Sequence, residues 1–168
     1  MEITTLFGLP AHPLLVHMPV VIVPLAALMA VVMAFHPAWL DRFGWWLVAF
    51  AGAGFVGAIL AASSGEQLQE LPGIEQSAGL DRHAELGQTA EVVAGIFFFV
   101  TLIVVGARWW ARHKAAGSGG IWEFIRSKAG AIVIAVVLVI SAGAAMYTMV
   151  QVGHQGAKVT WNEKLGSG

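Results

Sequence analysis

Four histidines stand where apolar runs give way to polar residues: His12, His17, His83 and His154. A neutral imidazole nitrogen ligates haem iron, copper or zinc, and helical bundles build cofactor sites from side chains on facing helices. His12 and His17 are five residues apart, a turn of about 140° and a rise of about 7.5 Å along a helix. They would reach one cofactor from different heights or serve two sites. His83 and His154 would complete the cluster from other segments. His36 and His113 fall in basic connecting segments and read as ordinary interfacial residues. The sequence has no cysteine, which excludes thiolate metal sites, cysteine-ligated iron–sulfur clusters and covalent c-type haem.

Other polar groups accompany the histidines. Glu91 follows His83 by eight residues and is the deepest carboxylate of its segment. That spacing returns it to nearly the His83 face, where it could be a hydrogen-bond partner of the site, a metal ligand or a proton relay; partner or relay ranks ahead because it lies deepest. Arg82 and Lys158 could pair with haem propionates or with lipid headgroups. Met18, Met146 and Met149 would suit copper, although a methionine in an apolar helix more often simply packs. There is no phosphate-binding glycine loop, no H-E-x-x-H and no G-x-S-x-G. Ser63, Ser64 and Gly65 read as a helix stop.

These residues must be positioned by elements that live in lipid. Of 168 residues, 58% are hydrophobic and 11% charged, against about 45–50% and about 25% in soluble domains. A helix needs about 20 apolar residues to cross a bilayer core. Four stretches qualify, at about 13–35, 44–63, 86–109 and 130–152. The expected fold is an all-α, four-helix transmembrane bundle forming a single domain. Small residues in the second and fourth spans (Gly52, Gly54, Gly57, Gly143, Ala144, Ala145) allow either close helix packing or room for a flat ligand. Pro19 and Pro24 would kink the first span beside His17. No internal repeat is evident.

Charge sets the expected orientation. Arg42, Arg108, Arg112, Lys114, Arg126 and Lys128 share one side with only Asp41 and Glu123. The other side holds Arg82, Lys158 and Lys164 against eight acidic residues, Glu91 included. The positive-inside rule puts the first side in the cytoplasm and both termini on the periplasmic side. Six of seven tryptophans (Trp39, Trp45, Trp46, Trp109, Trp110, Trp122) fall at the basic boundary as an interfacial belt. The segment 121–128 would lie on that surface as a short interfacial helix. The first ten residues carry no Lys or Arg, so a cleavable signal peptide is not expected. The net charge of −1 and the lack of a basic run argue against nucleic-acid binding. The acidic loop 66–81 is expected to be solvated.

At these residues the chain resembles the bacterial membrane family called domain of unknown function 2231. The opening LPAHPLLVHMPVVIVPLA is similar to its HP-x-x-VH-x-P pattern, and DRHAELG and GHQGAKVTW to its later motifs. The matching positions are His12, Pro13, His17, Pro19, His83, Gly87, His154 and Gly156. Gln155, Ala157 and Trp161 depart from the pattern. The resemblance implies a four-helix membrane protein, and relatives that occur beside Rieske-type or cytochrome domains imply a redox setting. The leading expectation is a b-type cytochrome of the bacterial inner membrane, with His17 and His83 as axial ligands at similar depth. His12 and His154 would serve a second haem or tune the first. Electrons would pass between quinol and a periplasmic redox protein, in a monomer or an oligomer. The alternatives are a copper or zinc site, or a non-redox accessory subunit. A cofactor-binding protein is expected over a stand-alone enzyme.

Overall fold

A computed structural model describes residues 5–6, 9–72, 77–114 and 119–165, with side chains described for 10–72, 77–114 and 119–161. Glu2, Glu75 and the side chains of Glu163 and Lys164, which enter the charge balance, and residues 73–76 of the acidic loop lie outside these. A two-residue antiparallel ladder, β1 (Thr5–Leu6) with β2 (Leu9–Pro10), precedes the helices. The remainder is helical: α1 (Ala11–Leu15), α2 (His17–Phe35), α3 (Pro37–Gln69), α4 (Ala78–His113), α5 (Ile121–Arg126) and α6 (Lys128–Leu165). α1 and α2 make one span interrupted at Val16, so among the described residues four helices are long and apolar enough to cross a membrane. The expected all-α architecture is the one observed.

The interruption has a chemical cause. Pro19 lacks the N–H that would bond the carbonyl of Leu15, and its ring crowds that carbonyl. The turn at Val16 falls there, one residue before His17. Pro24 sits inside α2 without ending it. His36 alone joins α2 to α3, because Pro37 supplies a first helical residue that needs no hydrogen-bond acceptor. Asp41 and Arg42 therefore belong to α3, not to a loop.

The long helices contain 33, 36 and 38 residues, about 50–57 Å at 1.5 Å per residue, against a hydrocarbon core of about 30 Å. They extend well past the apolar spans. α3 runs through Ser63, Ser64 and Gly65 to Gln69, which corrects the reading of those residues as a helix stop. Each long helix packs beside two others, α2 with α3, α3 with α4, α4 with α6 and α6 with α2. The core between them is built from small and aliphatic residues such as Ala26, Ala30, Leu47, Ala51, Leu138 and Ala142, with Phe97 as its largest member. Gly54 and Gly57 let α3 approach α2, since a Cβ there would fall 2.7 Å from Val23 and 2.9 Å from Met18. Gly143 and Ala144 are exposed instead, whereas Ala142 and Ala145 beside them are buried in the core.

One end of the bundle is closed by charge. Asp41 of α3 accepts two bonds from Arg108 of α4, at 2.7 and 3.0 Å. Arg112 donates to the Asp41 carbonyl at 2.7 Å and lies 3.4 Å from its carboxylate. Arg126 of α5 donates to the carbonyls of Ala111 and Lys114, which the end of α4 leaves without helical partners. The expected short helix over 121–128 is present as α5, ending at Ser127 before α6 begins.

Candidate functional site

At the opposite end a cavity of about 440 Å³ opens between all four long helices. Most of its wall is aliphatic, from Val16, Val20, Ala58, Ala62, Ala84, Ala90 and Val152 among others. Polar groups reach it from two histidines, His12 and His83, and from Glu66, Gln69 and Gln88. A cavity of this size with an apolar wall and a few convergent polar groups is the usual form of a small-molecule site.

Hydrogen bonding separates these two histidines from the rest. His17, His36 and His113 each bond the carbonyl four residues earlier in their own span, Pro13, Val32 and Trp109 respectively. All three are exposed. His12 instead reaches 49 residues along the chain, its Nδ1 lying 2.9 Å from the Ala61 carbonyl and 3.3 Å from the Ser64 hydroxyl. A carbonyl only accepts, so Nδ1 carries the proton and Nε2 of the neutral ring keeps its lone pair. This is the arrangement by which a backbone carbonyl fixes a metal-ligating imidazole. The Ser64 hydroxyl, buried in α3, itself donates to Ala61 at 3.0 Å. His83 Nδ1 is buried outside hydrogen-bond geometry from the described residues, although the Val152 backbone acts on the ring.

Two glycines seat the rings. A Cβ on Gly65 would lie 3.0 Å from Cε1 of His12, and one on Gly156 would lie 2.9 Å from Cε1 of His83. Each hairpin of the bundle therefore does the same thing. The first places a histidine from its leading helix over a glycine near the end of α3. The second places a histidine from α4 over a glycine near the end of α6. The two imidazoles meet with ring centroids 6.2 Å apart and planes at 83°. Sequence comparison of the halves does not show this equivalence, because only the histidine and the glycine correspond.

The expected cluster of four histidines is thus reduced to a pair, and the pair is His12 with His83, not His17 with His83. No group of three or more His, Asp or Glu suited to a metal ion occurs among the described residues. The reasons are rotational. His17 follows His12 by about 140° of helix and by the turn at Val16, and it faces outward. His154 precedes Gly156 by two residues, about 200° around α6, so a helix that turns Gly156 to His83 turns His154 away. His154 is exposed.

Glu91 does not line the cavity. Eight residues advance a helix by about 80° beyond two full turns, enough to carry it off the His83 face. Glu66 takes the position instead, accepting from Gln88 at 3.0 Å across α3 and α4. It was legible in principle, since Ala58, Ala62, Glu66 and Gln69 recur at helical spacing and all line the cavity. Arg82 is exposed and pairs with Glu85 at 2.9 Å within its own helix. Lys158 is exposed next to Val159, which lines the cavity. Gln155 donates to the Gly79 carbonyl at 3.2 Å and ties α6 to the start of α4.

Comparison with curated proteins and with solved structures gave no match. The sequence model of one family matches residues 8–168, nearly the whole chain and all eight motif positions. The protein belongs to that family, described as predicted membrane protein (DUF2231).

Proposed function

We propose that this chain is a multi-pass protein of the bacterial inner membrane that binds haem b through His12 and His83 near the periplasmic face. In this reading it passes electrons between a membrane donor such as quinol and a periplasmic redox partner. The observation that carries the proposal is the imidazole pair presented by two hairpins across one apolar cavity. The two rings lie with centroids 6.2 Å apart, close enough for both to contact one bound group and also the spacing of an unliganded T-shaped ring pair. The donor count favours haem over a bare ion. A porphyrin brings four nitrogens and asks the protein for two, whereas structural zinc asks for four protein ligands.

Haem would supply a one-electron redox centre, and the residues around it have distinct tasks. Ala61 and Ser64 hold the His12 ring in the tautomer that frees Nε2. Gly65 and Gly156 give the two rings space. The aliphatic wall excludes water, and Lys158, exposed beside the cavity-lining Val159, is a cation for a carboxylate-bearing edge of the ligand. The start of α1 and the last turns of α6 lie at the cavity end, where His12 and Val159 line the cavity, and the net positive charge of the other end supports a periplasmic side for the cavity.

Met149 lines the same cavity and is 4% exposed, which gives a second reading specific support. Two imidazoles and a thioether make a soft donor set suited to copper. The test that separates the readings compares His12→Ala and His83→Ala with His17→Ala and His154→Ala in haem-replete cells. Loss of a Soret band in the first two alone supports the haem assignment. Loss in the second two alone overturns the ligand pair. Bound copper without porphyrin absorbance selects the second reading.

A further inference from the structure

The charged end of the bundle carries more cation than its own residues neutralise. Arg42, Arg108, Arg112, Lys114, Arg126 and Lys128 meet two carboxylates, Asp41 and Glu123. Asp41 is shared between two guanidinium groups. Arg126 donates to carbonyls, which satisfy its hydrogens but not its charge. A ring of exposed aromatic residues lies beside these cations, including Trp39, Trp45, Trp46, Trp109 and Trp110. Two cations lie against aromatic rings directly: Lys114 is 5.5 Å from the Trp110 centroid and Arg42 is 5.3 Å from that of Phe43. Tryptophan rings settle at headgroup level in a bilayer, so these cations sit at the depth of the lipid phosphates. Ile121 and Phe124 of α5 are exposed beside Arg126, the mixture of apolar and basic groups that binds a helix to a membrane surface.

We infer that this end is a docking surface for anionic phospholipid headgroups, which complete the charge balance that Asp41 and Glu123 leave open. The aromatic ring beside the cations favours a lipid over a soluble acidic protein as the occupant. The inference uses no residue of the histidine cavity and stands apart from the haem reading.

The tryptophans supply the probe, because six of seven lie at this end. The full chain is reconstituted in phosphatidylcholine vesicles containing either brominated phosphatidylglycerol or brominated phosphatidylcholine at equal mole fraction, and tryptophan quenching is measured. A single Lys or Arg near an anionic surface favours binding by about fivefold. The anionic quencher is therefore expected to show a relative association of at least about threefold, falling towards unity in high salt. Arg42→Gln, Lys114→Gln and Lys128→Gln together should remove most of that excess. Their side chains hold no hydrogen bond among the described residues, so the fold is retained. Equal quenching by the two lipids would overturn the inference and leave the charge for a soluble acidic partner. An excess unchanged in the triple variant would overturn it as well.

Discussion

The two ends of this bundle solve opposite problems. Where α3 begins and α4 ends, positive charge is in surplus but hydrogen-bonding groups meet each other: Asp41 takes Arg108 and Arg112, and Arg126 covers open carbonyls at the end of α4. At the other end polar groups are left over. Gln67 Oε1 is buried without a partner among the described residues, His83 Nδ1 is buried with the Val152 backbone acting on its ring, and both imidazoles line the cavity. Buried polar atoms are normally satisfied, and one that is not points to a missing ligand or to stored strain. The first end locks the helices in register. The second is prepared to receive something.

Substitutions can break or sharpen that contrast. The largest effect on stability belongs to Asp41→Ala. Removing one member of a buried pair costs about 3–5 kcal/mol, and here the side chains keep 14% and 27% of their exposure, so we expect about 2–3 kcal/mol. Denaturant unfolding in detergent checks this, and wild-type stability would show that the end is no lock. Next come Gly65→Ala and Gly156→Ala. Each pushes a methyl group onto a ring it cannot avoid, for about 1–2 kcal/mol of overpacking strain, and each should also abolish cofactor binding. Retention of full binding in both would remove the glycines from the site.

Gly87→Leu sharpens the comparison differently. Gly87 lines the cavity, and a Cβ there meets nothing within 4 Å. Leucine should raise helix stability by up to about 1 kcal/mol while filling the cavity, so stability and cofactor content should move in opposite directions. A fall in both would mean that the cavity is ordinary packing space. The smallest effect is expected from His17→Ala. Among the described residues this exposed ring bonds only the Pro13 carbonyl one turn earlier, so unfolding should change by less than about 0.5 kcal/mol with an unaltered spectrum. A bleached spectrum would return His17 to the ligand set.

Much of the architecture was legible in the sequence because membrane spans are dictated by length and apolarity. The tryptophan belt, the basic end and the histidine-bearing end followed from where charge and aromatics cluster. The choice of histidines did not. Spacing fixes a residue's angle on its own helix but not how that helix is rotated against its neighbours. The turn that Pro19 forces at Val16 further separates His12 from His17. Gly65 was misread for a related reason. A glycine after two serines resembles a terminus when only local propensity is considered, whereas its role is to admit a ring from a helix 53 positions away in sequence. Glu91 was preferred for its depth, but an angular offset of about 80° mattered more than depth and gave the cavity edge to Glu66.

The central claim is that the cavity between His12 and His83 holds haem. It is tested most directly by the ultraviolet–visible spectrum of protein purified in detergent from haem-replete cells, air-oxidised and then reduced with dithionite. The account predicts a Soret band that shifts on reduction, with sharp α and β bands of a low-spin iron held by two imidazoles. A featureless spectrum in both states would contradict it.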